Sequence, residues 1–131
     1  MTSEDRKELS SKKMVWAGRI ISAIPVLMLT LSATMKFIKP EGFSEGIALL
    51  GWDEATMTYL GVVELLCVVL YLVPKTAVLG AILIAAYLGG ATAAHVRVGD
   101  AFFIPILLGM VAWLGLWLRD KRLRDLLPFM R

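Results

Sequence analysis

Four runs of apolar residues organise the chain, at 15–35, 56–73, 76–94 and 101–118. The first is interrupted by a single charge, Arg19, and the second by a single charge, Glu64; the other two carry none. A helix needs roughly 20 predominantly apolar residues to cross a hydrocarbon core. Helices of soluble cores are usually shorter and keep one polar face, which these runs lack. The pattern therefore predicts an all-α fold, a bundle of four transmembrane helices at about 15–36, 56–73, 76–95 and 101–118, forming one domain. A basic stretch precedes the first run, as in a secretory leader. The run is longer than the roughly 7–15 residues of a leader core, and it closes on Met35, Lys36 and Phe37 instead of a small-residue cleavage site. It reads as a retained helix.

The connections fit this plan. Val73, Pro74, Lys75 and Thr76 predict a tight turn that makes the second and third helices antiparallel neighbours. The longer loop at 37–55 holds Pro40, Gly42, Gly46 and Gly51. Its GFSEGIALLGW segment predicts a short amphipathic helix at the membrane surface, with Trp52 at headgroup depth. The tail RDKRLRDLLPFMR reads as a continuation of the fourth helix along the inner surface. In the third helix, small residues recur every fourth position: Ala77, Ala81, Ala85, Gly89 and Ala93, with a second row at Ala86, Gly90 and Ala94. Small rows let backbones approach in lipid, so this helix is expected to be the central packing element. The two rows also leave room for a homo-oligomer contact.

Composition strengthens the membrane reading. Of 131 residues, 58% are hydrophobic and the mean hydropathy is +0.73. A soluble domain has roughly 45–50% apolar residues, and one this small could not bury the excess. The net charge of +3 and pI of 9.2 do not point to nucleic acid, because the basic residues sit at the ends of apolar runs. Arg6, Lys7, Lys12, Lys13, Lys75, Arg119, Lys121, Arg122, Arg124 and Arg131 fall on one side; Lys36, Lys39 and Arg97 fall on the other. Ten against three places both termini in the cytoplasm of an inner-membrane protein.

Among polar residues Glu64 stands out. It lies about 12 Å into the second helix, where a carboxylate must be paired, protonated or wetted. Gly61, Cys67, Val68 and Tyr71 share its face. Glu64 reads either as a proton-handling or ligand-anchoring acid, or as a structural tie between helices. Lys36, with Ser32 one turn deeper, and His95, with Tyr87 and Ala91 on its inward face, approach the same end, and Arg97 follows. Together Glu64, Lys36, His95 and Arg97 predict one polar cavity opening outward. Taken singly, Lys36 and Arg97 read as chains snorkelling to the interface, and His95 as a helix-end hydrogen bond. One His and one Cys exclude an internal disulfide and a protein-only zinc site without distant carboxylates. Thiol oxidation would need a partner protein or a quinone. Haem on His95 is left with a single protein ligand, and no phosphate loop or Ser-His-Asp pattern is present. No catalytic residue is assigned.

At these residues the chain resembles the DoxX-like membrane proteins. The resemblance is carried by LYLVPKTAVLGAILIAAYLGGATAAHVRVGD at 70–100, LSATMKF at 31–37, GVVELL at 61–66 and WLGLWLRDKRLRDLLP at 113–128. It implies a four-helix bundle and puts Lys36, Glu64, His95, Arg97 and Gly99 at characteristic polar and glycine positions. Members of the wider DoxX group occur as subunits of thiosulfate:quinone oxidoreductases or membrane redox complexes, and others as assembly factors. The expected function is an accessory or subunit of a membrane redox system that holds a quinone or lipid beside Glu64. The expected partners are membrane lipids, a redox enzyme and a second copy through the third helix. The alternatives are a non-catalytic assembly or chaperone-like factor, a haem-binding membrane enzyme and a small transporter. The last would need more polar residues facing a path than the third and fourth helices offer.

Overall fold

Helix formation starts earlier than the apolar pattern predicts. Thr2 and Asp5 form a reciprocal capping box: the Asp5 N–H donates to Thr2 Oγ1 at 3.1 Å, and the Thr2 N–H donates to Asp5 Oδ2 at 3.0 Å. From there α1 runs unbroken over Ser3–Ile38, 36 residues or about 54 Å in the computed structural model, which describes residues 1–127. The expected boundary near residue 15 marks where the helix turns apolar, not where it begins. No Gly or Pro interrupts the stretch before Gly18, and Glu8 and Lys12 pair at 3.1 Å one turn apart. The helix closes on Lys39, whose left-handed backbone (φ 54°) sends its N–H back to Met35 O at 2.9 Å.

The amphipathic segment of the loop forms α2, Phe43–Leu49, with Ile47 buried. Asp53 then caps α3, Glu54–Leu72, by accepting the Thr56 N–H at 2.7 Å. The Thr56 hydroxyl, and after it the Thr56 backbone, hold the Asp53 carboxyl below its ordinary value. After the turn at 73–76, where Thr76 Oγ1 donates to Leu70 O at 2.8 Å, α4 spans Ala77–Arg97 and α5 spans Phe103–Arg119. Helices α1, α3 and α4 are long and apolar enough to cross a membrane; α5, at 17 residues, is shorter. The tail does not continue α5. Asp120 adopts an extended backbone, accepts the Arg122 N–H at 2.9 Å, and starts a separate helix, α6, Lys121–Leu126. A short acid that can bond its own following backbone competes with helix continuation. Arg124 reaches back to the Trp117 and Leu118 carbonyls, satisfying the end of α5. Residues 128–131, including the Arg131 of the charge count, lie outside the described residues.

The four long helices form a ring in which α1 packs on α3 and α5, and α4 packs on the same two. Its centre is Tyr71, fully buried with Ala81 and Ala112. The Tyr71 hydroxyl donates to the Ala112 carbonyl of α5 at 2.6 Å and lies 3.0 Å from Ser22 Oγ of α1, tying three helices at one point. Tyr71→Phe is expected to cost about 1 kcal/mol, the usual worth of an interhelical hydrogen bond in a membrane protein. Detergent-phase unfolding of the two proteins measures it. Outside this core the helices carry apolar side chains outward: Ile20, Leu27, Leu31, Leu66, Val69, Ile82, Leu107 and Met110 are all exposed. Such a belt is tolerated where lipid is the solvent.

Candidate functional site

A carboxylate in the middle of an apolar helix needs a partner, and α1 supplies it. Glu64 is 1% exposed, and its Oε2 accepts from Lys36 Nζ at 2.8 Å. The approach depends on Gly61, one turn earlier in α3. A Cβ there would stand 3.3 Å from Lys36 Cβ and 3.1 Å from the Phe37 ring. The ammonium also donates to Ser32 Oγ at 2.7 Å, one turn back along α1, and sits 5.9 Å from the centre of the Tyr87 ring. Tyr87, from α4, closes the cluster by donating its hydroxyl to the same Oε2 at 3.1 Å. Residues from three helices thus meet around one carboxylate oxygen. The other oxygen, Oε1, is buried and receives no hydrogen bond among the described residues.

This cluster lines a cavity of about 630 Å³. Its walls are otherwise largely apolar, with Met28, Leu29, Met57, Leu60, Ile104 and Leu108. The second small-residue row of α4 creates much of the space, because Ala86, Gly90 and Ala94 all face it. A Cβ on Gly90 would meet nothing within 4 Å. The first row behaves differently. Ala77 and Ala81 are buried, whereas Ala85, Gly89 and Ala93 are exposed, since a four-residue repeat drifts about 40° per step around a helix of 3.6 residues per turn.

His95 also lines the cavity. Its Nδ1–H donates to Ala91 O at 2.7 Å, the helix-end bond expected for it, which leaves Nε2 facing Asp100 Oδ2 at 4.0 Å. The Asp100 contact is invisible to helical periodicity. It arises because Gly99 takes a left-handed backbone (φ 72°), turning the chain so that the Asp100 N–H reaches His95 O at 3.0 Å. Arg97 does not join the others. Its guanidinium is exposed and donates to the Leu50 carbonyl, tying the end of α4 to the end of α2. The cavity therefore gathers Ser32, Lys36, Glu64, Tyr87 and His95, and Arg97 belongs to the loop packing outside it. Cys67 is buried one turn beyond Glu64. Among the described residues no three or more His, Cys, Asp or Glu side chains are placed to share a metal ion.

Chemically, the arrangement is a neutralised ion pair at the polar tip of an apolar chamber, with one unused acceptor. It suits an apolar molecule bearing a hydroxyl or another donor. Residues 20–117 match the family model described as the DoxX-like family, a span that contains every residue of the cluster. No curated protein and no solved structure matches the chain.

Proposed function

The chain belongs to the DoxX-like family of membrane proteins, and from that premise we propose that its bundle holds one small lipophilic molecule, a quinone in its quinol form or a lipid, against Glu64. The observation that carries this reading is Glu64 Oε1, a buried carboxylate oxygen with no donor among the described residues, beside an apolar cavity. Leaving such an acceptor unpaired costs about 1–3 kcal/mol, more for a charged group, and a ligand hydroxyl would recover it. A cavity of about 630 Å³ lies within the roughly 300–1,000 Å³ of small-molecule sites. A fully oxidised quinone offers only acceptors, so the free carboxylate oxygen favours the reduced, hydroxyl-bearing form. The protein then serves as an accessory or subunit of a membrane redox system, in line with the wider DoxX group. The asymmetry of Lys and Arg supports an inner-membrane location with both ends cytoplasmic.

Purified full-length protein, extracted into organic solvent and assayed for quinones and lipids, is expected to yield one such molecule in near-stoichiometric amount. Gly90→Leu adds a side chain to the cavity wall at a position where a Cβ meets nothing within 4 Å. It is expected to keep the fold and lower occupancy at least tenfold, or about 1.4 kcal/mol of binding. Preparations that contain neither quinone nor lipid above background, or a Gly90→Leu protein with undiminished occupancy, overturn the reading.

A further inference from the structure

A second cavity, of about 720 Å³, opens at the opposite end of the bundle from Glu64. Val26, Leu72 and Leu116 contribute apolar wall, Arg19, Arg119, Lys121 and Arg122 contribute positive charge, and Asp120 contributes one carboxylate. The four cations are not equivalent. Lys121 pairs with Asp125 at 3.5 Å, and Arg122 pairs with Asp120 at 3.3 Å. Among the described residues no carboxylate lies in ion-pair range of Arg19 or Arg119. Arg19 stacks over Trp16 at 5.1 Å. Arg119 lies over the Tyr71 ring at 4.7 Å and donates through Nη2 to the Tyr71 carbonyl at 3.1 Å. Its Nε is buried and has no acceptor among the described residues. The two arginines line the same cavity from helices whose backbones meet beside them. Gly18 brings α1 so close to α5 that a Cβ there would stand 2.7 Å from both the Gly115 O and the Arg119 N.

Two guanidiniums without a carboxylate partner, above an apolar wall, match an amphiphile with an anionic head. The planar fork of arginine donates to phosphate oxygens in pairs, and it is less strongly hydrated than an ammonium. We propose that this cavity is a site for an anionic phospholipid, with its phosphate between Arg19 and Arg119 and an acyl chain along the apolar wall. The proposal stands independently of whatever occupies the cavity at Glu64. A general attraction of basic ends to anionic membranes would make all cations at this end equal, whereas a built site makes Arg19 and Arg119 special.

The test uses the full chain in a neutral detergent, titrated with phosphatidylglycerol, phosphatidylcholine or inorganic phosphate while bound lipid is counted by native mass spectrometry. Phosphatidylglycerol is expected to bind at least tenfold more tightly than either of the others. Arg19→Gln, at an exposed position, is expected to abolish that preference. Lys13→Gln, which removes the same charge elsewhere on α1, is expected to leave it intact. Arg119→Gln also removes a bond to α3 and can unfold the protein, so Arg119→Lys is the informative variant: it keeps the charge, loses the fork, and is expected to weaken binding several-fold. Equal binding of the two phospholipids overturns the proposal, as does phosphate binding as tightly as the lipid. Equal losses in Arg19→Gln and Lys13→Gln overturn it too.

Discussion

Lys36→Met is expected to destabilise the bundle by about 3–5 kcal/mol, the usual cost of removing one partner of a buried ion pair. The reason is the neighbour it leaves behind. Glu64 is 1% exposed, and among the described residues Lys36 is the one cation paired with it; removing the ammonium strands a carboxylate in an apolar interior. Much of this cost is not the worth of the pair itself, because replacing both members of a buried ion pair by apolar groups is often close to neutral. The double variant Lys36→Met/Glu64→Leu is therefore expected to recover most of the loss. It should remain about 1 kcal/mol short of the parent, since Tyr87 loses the acceptor 3.1 Å from its hydroxyl. Reversible unfolding in mixed micelles, run as a double-mutant cycle, reads both numbers. Losses that simply add would mean that the two residues act separately and that the ion pair is not the anchor of the site.

The recovery expected of the double variant bears on function. If an apolar pair serves the fold nearly as well as the ion pair does, stability alone does not account for a charged cluster here. A protein that needed only a register tie between α1 and α3 would have a cheaper one in the Tyr71 node, where neutral groups join three helices. What the charged pair adds is a carboxylate oxygen without a donor among the described residues, beside an apolar chamber, and the proposed ligand site rests on that feature.

Residue type and depth along a helix are legible in the sequence. A single carboxylate inside an apolar run is conspicuous, so hydropathy alone singles out Glu64, and the four apolar runs anticipate the four packed helices. Depth groups Ser32, Lys36, Tyr87 and His95 at one end of the bundle. Direction is not legible. Lys36 and Arg97 both lie in the last turn of a helix and both read singly as snorkelling chains, yet one turns inward onto Glu64 and the other outward onto Leu50. The difference is made by Gly61 on α3, which opens a path for Lys36, and by α2, whose end offers Arg97 a carbonyl. Neither partner is adjacent in sequence, so no periodicity reports it. The break at Asp120 escapes the apolar pattern for a related reason, since hydropathy sees a continuous mixed segment where one side chain bonds its own backbone.

The small residues of α4 give the last expected result, and it rests on sign as well as size. Gly80→Ala is expected to destabilise the protein by about 2–3 kcal/mol, and Gly89→Ala, two and a half turns further along the same helix, to stabilise it by about 0.5–1 kcal/mol. Both replacements gain the helix preference of alanine over glycine. At Gly89 nothing opposes that gain, because a Cβ would meet nothing within 4 Å. At Gly80 the added carbon would stand 2.5 Å from Tyr71 Cα and 2.7 Å from the Leu70 carbonyl carbon, and closer still to the Tyr71 nitrogen. These are backbone atoms, so no rotamer change relieves the overlap. Separating the helices is equally costly: the turn at 73–76 tethers them, and the Thr76 bond to Leu70 O clamps the same level. Any outward shift of α3 would also draw Tyr71 away from Ser22 and Ala112. The fourfold row draws attention to Ala77 and Ala81, whereas the closest approach falls on the glycine between them, outside the row. Unfolding midpoints of the two variants, measured side by side, decide the matter: opposite signs fit a backbone-to-backbone contact at Gly80, and equal effects would show that α3 and α4 do not approach so closely.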